Sequence, residues 1–143
     1  MNILIINGPN LDVLDKRDQK HYGSLSYDDL CNGIQNAFGD HSFDFFQSNN
    51  EGILINRLHE AIEESFDGLI CNFAGYSHTS VALRDALALI PYTKIEVHLS
   101  NIHSREDFRH TTLTGGVCDG IIAGFGPDSY HLAVVALQNK RNS

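Results

Sequence analysis

The sequence is poor in the residues that stabilise small secreted or zinc-binding proteins. Its 143 residues include three cysteines, three prolines, one methionine and no tryptophan. Cys31, Cys71 and Cys118 form no CxxC pair, so the spacing predicts neither a disulfide framework nor a zinc cluster. We therefore expect a reduced, cytoplasmic protein.

Long apolar segments are missing as well. The longest uninterrupted apolar run covers residues 132–137, which is far short of the ~20 residues that a membrane-spanning helix needs. The first ten residues lack a basic region, and their apolar stretch at residues 3–6 is too short for a signal peptide. We expect neither a membrane partner nor export.

Basic residues are outnumbered by acidic ones. Ten lysines and arginines against 18 aspartates and glutamates give a formal net charge of −8. A surface of that sign repels the phosphate backbone, so nucleic acid is not an expected partner. A small anionic ligand remains possible, because a local group of arginines can outweigh the charge of the whole molecule.

Apolar runs of strand length alternate with segments of helical periodicity. The five runs are residues 3–6, 43–46, 68–71, 95–97 and 120–123, all rich in β-branched or aromatic side chains. Helices are predicted from a capping box at Ser26, from an apolar stripe at residues 54–62, from Thr79 to Ile90, and over residues 130–138. Residues 101–116 are polar and receive no assignment.

This alternation predicts the α/β class, with a doubly wound, flavodoxin-like, five-stranded parallel sheet and helices on both faces. The sequence contains no repeat or linker, so residues 1–143 are predicted to be a single catalytic domain. In such folds ligands bind beyond the carboxyl ends of the strands. The segments that follow each strand are therefore where functional residues are expected.

The segment after the first strand shows no clear helix until about Ser26. A loop of this length is usually functional or disordered. It carries Lys16, Arg17, Lys20 and Tyr22, with Gly23 as a possible hinge. It is either a positively charged lid over an anion or a solvated surface loop.

The segment after the third strand combines polar residues with a helix start, which favours binding of carboxylate or phosphate. Residues 75–79 partly match the GxSxG motif of serine hydrolases, but the second glycine is absent. Hydrolysis by Ser77 is therefore a weak alternative.

The fourth strand ends with a carboxylate and an imidazole on one face. Glu96 and His98 are two residues apart, and side chains alternate between the faces of a strand. The carboxylate can fix the tautomer of the imidazole or raise its basicity. His98 can equally be a structural histidine, although polar neighbours at the ligand end of the strand favour a function.

Two further patterns follow this strand. His98, His103 and His110 are five and seven residues apart, which matches no common metal-ligand spacing. Arg105 and Arg109, four residues apart, could clamp a carboxylate from one helical face or could be solvated surface charge.

Together these segments resemble the type II 3-dehydroquinate dehydratases. The resemblance is carried by NGPNL (7–11), YG (22–23), FQSN followed by EG (46–52), HTS and LRDA (78–86) and IEVHLSNIHSREDFRH (95–110). These strings occur in the family's order and extend from about residue 7 to residue 137. The last of them is highly specific.

The resemblance implies a lyase of the shikimate pathway that converts 3-dehydroquinate to 3-dehydroshikimate by anti elimination through an enolate. It also implies no cofactor, no metal and a dodecamer built as a tetramer of trimers. A tyrosine base has to be ionised near neutral pH although its ordinary pKa is ~10, which explains a neighbouring arginine.

The resemblance also implies the role of each site residue. Tyr22 would be the base, Arg17 would lower its pKa, Asn10 would hold the water that stabilises the enolate, and His98, partnered by Glu96, would be the acid. Asn72, Leu99 and Ser100 would hold the substrate carboxylate, His78 and Arg109 its hydroxyls, Arg105 would contact the lid, and Asp85 would reach the neighbouring subunit's site.

The chain departs from the family pattern in two places. Residues 15–19 lack the glycine and proline that family lids usually carry, and Phe73 replaces a proline after Asn72. Neither change removes a reacting group. The competing hypotheses are a serine- or metal-dependent hydrolase and a non-catalytic receiver-like module, for which only Asp12 and Asp15 lie near the first strand.

Overall fold

The computed structural model of the chain describes residues 1–22 and 24–143, and the side chains of residues 21 and 22 lie outside that description. The strands are β1 (Asn2–Asn7), β2 (Ser42–Gln47), β3 (Gly68–Asn72), β4 (Lys94–His98) and β5 (Gly120–Ala123). The helices are α1 (Gln19–Tyr22), α2 (Tyr27–Ala37), α3 (Glu51–Glu63), α4 (Val81–Ala88) and α5 (Asp128–Arg141).

The five strands form one parallel sheet in the order β2-β1-β3-β4-β5. This is the predicted flavodoxin-like, doubly wound architecture, and each predicted strand lies within one residue of the observed one at either end. The carboxyl ends of all five strands meet at one edge of the sheet.

Side chains that alternate along the strands supply two hydrophobic cores. Ile3, Ile5 and Ile70 face α2 and α5, whereas Leu4 and Leu69 face α3 and α4. A sheet that is buried on both faces explains the nearly continuous apolar runs in the sequence. No helix of the described residues is long and apolar enough to cross a membrane.

The helix starts were only partly predicted. The capping box at Ser26 is confirmed, with both of its reciprocal hydrogen bonds to Asp29. The predicted cap at Thr79 is wrong: α4 is capped by Ser80, whose hydroxyl accepts a hydrogen bond from the Leu83 N–H. Thr79 instead ends the preceding 3-10 turn, because its backbone N–H donates to the Tyr76 carbonyl.

Helix ends differed too. α4 ends at Ala88, before the predicted Ile90, because the chain tightens into a turn there in which the Ile90 N–H bonds the Leu87 carbonyl. α5 covers Asp128–Arg141 and is longer than the predicted 130–138. Its additional carboxyl-terminal turn is polar, so apolar periodicity could not detect it.

The segment after β1 is more regular than predicted. It contains a 3-10 helix at Leu11–Lys16 and the short helix α1. Leu11 and Leu14 are fully buried in the core beside α2 and α5, so the first half of this segment is anchored rather than solvated. Gly23, the predicted hinge, lies outside the described residues.

The unassigned segment 101–116 is built from 3-10 turns at Ile102–Ser104, Asp107–Arg109 and Gly115–Val117. Arg105 and Arg109 therefore do not lie on one helix face, as the spacing had suggested. Instead the turns bring both arginines to the carboxyl edge of the sheet.

The loops after β1 and β3 touch each other at Gly8. Its N–H donates to the Asn72 carbonyl at 2.7 Å, and a Cβ at this position would lie 2.5 Å from the backbone oxygen of Phe73. Phe73 itself is fully buried. Because the obstruction is backbone, it cannot be relieved by a side-chain rotation.

We expect Gly8→Ala to lower the free energy of unfolding by about 1–3 kcal/mol, the usual cost of overpacking. Gly33→Ala is the matched control: nothing lies within 4 Å of the added methyl group on helix α2, so it should stabilise by roughly 0.5–1 kcal/mol. Urea unfolding of both variants measures the difference. Equal effects of the two substitutions would contradict the close approach.

Candidate active site

An open cleft of about 380 Å³ lies at the carboxyl edge of the sheet. Its walls come from the segments after β1, β3 and β4. The residues that line it are Leu11, Arg17, Asn72, Ala74, Gly75, His78, His98, Leu99, Ser100, Ile102, Arg105 and Arg109. None of these lining residues is acidic.

The structure brings eight of the twelve predicted site residues into this lining: Arg17, Asn72, His78, His98, Leu99, Ser100, Arg105 and Arg109. Glu96 is fully buried behind His98. Asn10 and Asp85 are exposed and are not among the lining residues. The side chain of Tyr22 lies outside what the structure describes.

Glu96 and His98 are hydrogen-bonded, with 3.0 Å between Glu96 Oε2 and His98 Nε2. They share one face of β4, as the alternation along the strand predicts. An ionised carboxylate can only accept, so Nε2 carries the proton of this bond. Nδ1 is then the ring nitrogen of His98 that is available to the cleft.

The environment of Glu96 favours the ionised form. Burial by itself raises the pKa of the Glu96 carboxyl, but hydrogen bonds from His98, Thr114 and Thr112 outweigh it and hold the pKa below its ordinary value of 4.5. Thr114 is fully buried and donates its hydroxyl proton to Glu96 Oε1. Both carboxylate oxygens therefore have donors.

His78 lies beside His98, with ring centroids 5.9 Å apart. Its Nδ1 is 2.9 Å from the carbonyl oxygen of Thr111, so Nδ1 donates and Nε2 is left as an acceptor. Burial lowers the pKa of His78, and the neighbouring His98 and Arg109 lower it further against the opposing effect of the Thr111 hydrogen bond. These effects favour the neutral ring over the imidazolium.

A chain of buried hydrogen bonds orients Asn72. The Tyr130 hydroxyl donates to Asn7 Oδ1 at 2.6 Å and accepts from Asn72 Nδ2 at 3.0 Å. Asn72 Oδ1 accepts from the Ala74 N–H at 3.1 Å. Since a tyrosine hydroxyl has one proton, these bonds fix the amide so that Nδ2 keeps its second N–H for the cleft.

Three arginines give the cleft a positive charge within an acidic protein. Arg105 donates to Ser100 Oγ at 3.4 Å, and Arg109 donates to Glu106 Oε2 at 2.8 Å. Arg17 enters from the segment after β1. The hydrogen bond from Arg109 lowers the pKa of Glu106. Arginines with a few polar groups of fixed direction suit a small carboxylate.

The hydrolase alternatives find little support in this geometry. The Ser77 hydroxyl is fully buried, and no hydrogen-bond partner for it exists among the described residues. Among all the residues that the structure describes, no three histidine, cysteine, aspartate or glutamate side chains are close enough together to hold a metal. His103 and His110 pack against each other, apart from the His78–His98 pair.

Sequence reasoning missed several residues that shape the cleft. Leu11, Ala74, Gly75 and Ile102 line it but carry no reactive group that would mark them. Thr114 lies 18 residues beyond Glu96 in a segment without regular periodicity, so no spacing rule could identify it.

We expect His78 to titrate with a pKa below its ordinary value of 6.5, because burial and the neighbouring His98 and Arg109 disfavour its protonated form. Nitrogen-15 NMR of the imidazole through a pH series measures the midpoint. Arg109→Gln should move the midpoint upwards, since it removes a positive charge that opposes protonation. A midpoint at or above 6.5 in the unsubstituted protein would contradict the burial argument.

Comparison with known proteins finds a family and relatives that match nearly the whole chain. A family model described as Dehydroquinase class II matches residues 1–138. A 3-dehydroquinate dehydratase from Chlorobaculum tepidum is 48% identical over 142 residues, which is 99% of this chain and 96% of that protein.

Solved structures of type II dehydroquinases are also similar to this chain. The crystal structure of a type II dehydroquinase from Butyrivibrio crossotus superposes with a TM-score of 0.94 at 42% identity, covering 96% of this chain and 97% of that one. A type II dehydroquinase from Propionibacterium acnes gives a TM-score of 0.91 at 34% identity, with 95% and 94% covered.

Proposed function

Because this chain belongs to the class II dehydroquinase family, we propose that its cleft eliminates water from 3-dehydroquinate to give 3-dehydroshikimate in the shikimate pathway. The match spans nearly the whole chain and nearly the whole of each relative. The activity is therefore assigned to the entire domain. The observation that carries the proposal is the buried Glu96–His98 pair inside a cleft lined by arginines.

In the first step Tyr22, as a phenolate, takes the proton from C2 of the substrate and leaves an enolate. A positive charge beside the hydroxyl lowers the pKa that the base needs. Arg17 supplies that charge in the proposal, and its position in the cleft lining is consistent with it. The backbone N–H of Asn10 donates to Asn49 Oδ1. Asn10 would hold the water that stabilises the enolate oxygen.

In the second step the enolate collapses to the ketone, its electron pair forms the new carbon–carbon double bond, and the carbon–oxygen bond to the leaving hydroxyl breaks with both of its electrons going to oxygen. His98 protonates that oxygen through Nδ1, and water departs. Its Nε2–H stays on Glu96, whose negative charge stabilises the imidazolium before the transfer. The reaction is a balanced elimination that needs no redox partner, which is why no cofactor or metal is proposed.

The remaining polar groups would bind the substrate. Asn72 and the backbone N–H groups of Leu99 and Ser100 hold its carboxylate, in line with the free amide N–H that Tyr130 directs to the cleft. Nε2 of His78 accepts from a ring hydroxyl because the ring is neutral. Arg109 binds another hydroxyl, and Arg105 contacts the segment after β1.

The decisive experiment is incubation of the purified protein with 3-dehydroquinate, with the absorbance of the conjugated enone product as the readout. The same assay after dialysis against a strong chelator and after treatment with a serine-directed inhibitor distinguishes the alternatives. We expect full activity in all three arms. Loss on chelation, restored by one divalent ion, would instead support a metal-dependent enzyme.

We expect Tyr22→Phe to reduce kcat by at least roughly 10²-fold, because general acid–base groups contribute about 10²–10⁴-fold, while the fold persists. Tyr92→Phe is the control: its hydroxyl bonds the Ala61 carbonyl, and it precedes the amino end of β4, far from the cleft. A Tyr22→Phe enzyme with more than roughly a tenth of wild-type kcat would exclude Tyr22 as the base.

We further propose that the active form is an oligomer, a dodecamer built as a tetramer of trimers, with Asp85 reaching an adjacent subunit's site. Val81 on helix α4 and Leu89, which directly follows the helix, are 59% and 60% exposed in the single chain, and Asp85 on the same helix is exposed. Apolar side chains on several sides of one helix favour burial against another subunit.

Sedimentation and activity on dilution test this assembly. We expect an oligomer for the wild type. In Asp85→Ala the protein concentration at which half of the oligomer has dissociated should rise by about tenfold, the effect of ~1.4 kcal/mol. The reason is that a charge at the interface loses its partner. Asp40→Ala, an exposed carboxylate remote from α4, serves as control. A monomeric wild type with full specific activity would rule the assembly out.

A further inference from the structure

The segment from Thr111 to Gly115 is hydrogen-bonded to His78 and to Glu96, the partner of His98. The Thr111 carbonyl accepts from His78 Nδ1 at 2.9 Å. The Leu113 N–H donates to the Ser77 carbonyl at 2.7 Å. Arg84 on helix α4 donates to the Leu113 carbonyl at 2.8 Å. The segment is therefore held from two sides just where it passes Glu96.

Glu96 is enclosed by this segment. The Thr114 hydroxyl donates to Glu96 Oε1, and Thr112 is a further donor to the carboxylate. A Cβ on Gly115 would lie 2.8 Å from Glu96 Oε2 and closer still to side-chain atoms of Thr112 and Ile121, so a larger residue there would have to displace these side chains. The carbonyl of Thr114 accepts from the Val117 N–H at 3.2 Å, which fixes the backbone that presents the hydroxyl.

We propose that Thr114 is a positioning residue for His98: its hydroxyl fixes the Glu96 carboxylate so that Nε2–H of His98 points to Glu96 and Nδ1 points to the substrate. The inference rests on the proposed acid role of His98. Thr114 itself is not among the residues that line the cleft, and it acts through Glu96.

The direction of each proton supports this role. With Oε1 bonded by Thr114, Oε2 is left for the imidazole, and the Thr114 hydroxyl joins His98 and Thr112 in setting the plane of the carboxylate. Without the hydroxyl, a fully buried carboxylate oxygen would lose a charge-assisted hydrogen bond, and the carboxylate could turn away from His98.

Several titratable or charged groups act on Glu96 or its partners from the surrounding elements, among them the Cys118 thiol, which donates to the Thr114 carbonyl. His98 is on its own strand, and His78 is beside that ring. The Cys71 thiol on β3 lies next to Glu96 in the sheet register, and its pKa is raised well above the ordinary value by burial, so it stays neutral. Arg109 acts on His78. Unlike these groups, the hydroxyl of Thr114 is neutral and does not titrate.

The test compares Thr114→Val, which keeps the shape and removes the hydroxyl, with Thr114→Ser, which keeps the hydroxyl. Thr93→Val at the other end of β4 is the matched control. For each we would measure kcat and KM with 3-dehydroquinate across pH. Nitrogen-15 NMR would report which ring nitrogen of His98 carries the proton, independently of turnover.

We expect Thr114→Val to lower kcat roughly 10- to 100-fold, as for loss of a hydrogen bond to a charged group, with little change in KM. Loss of a donor raises the pKa of Glu96, so the acid side of the kcat profile moves to higher pH. The Nε2–H preference of His98 should weaken. Thr114→Ser should restore all three properties, and Thr93→Val should resemble wild type.

Wild-type kcat, pH profile and His98 tautomer in Thr114→Val would overturn the inference. So would a Thr114→Ser enzyme as impaired as Thr114→Val, because the loss would then come from the shape of the segment. If Thr114→Val does not fold, Thr114→Ser and Thr114→Cys still test the inference. Cysteine is the weaker donor, so we expect a lower kcat for Thr114→Cys than for Thr114→Ser, and equal kcat values would contradict the proposal. A wild-type protein without dehydration activity defeats the proposed function, whereas the tautomer measurement continues to test Thr114.

Discussion

A carboxylate buried on strand β4 organises this molecule. Glu96 has no exposed surface, and a buried carboxylate is tolerated only when every oxygen has a donor. His98 and Thr114 supply those donors. The path of the polar segment after β4, and the glycine at position 115, follow from that requirement. Under the proposed function, stability and chemistry depend on the same group.

The sheet was predictable because its evidence is local and repeated. Each strand buries both faces, so its apolar run is visible in the sequence without knowledge of its neighbours. The parallel order then places the segments after β1, β3 and β4 at one edge, which is why Asn72, His78 and His98 were expected near each other. The Ser26 capping box was readable for the same reason, since its partners are three residues apart.

Residues whose roles depend on distant contacts were not predictable. Tyr130 looked like an apolar helix residue, yet its hydroxyl bridges Asn7 and Asn72 from 123 and 58 residues away. Thr79 and Ser80 are both good caps by composition, and only the preceding turn decides between them. Arg105 and Arg109 had the spacing of a helix face, but consecutive 3-10 turns carry them to the cleft by another path.

The contact between Gly8 and the backbone of Phe73 has a consequence for ligand affinity. Two loops that meet backbone to backbone cannot move independently, so the wall that carries Asn72 is already ordered before a ligand arrives. The conformational entropy that a flexible loop loses on binding is then already lost on folding. A small ligand with few atoms can bind such a wall selectively, because its limited contact energy is not consumed in ordering the protein.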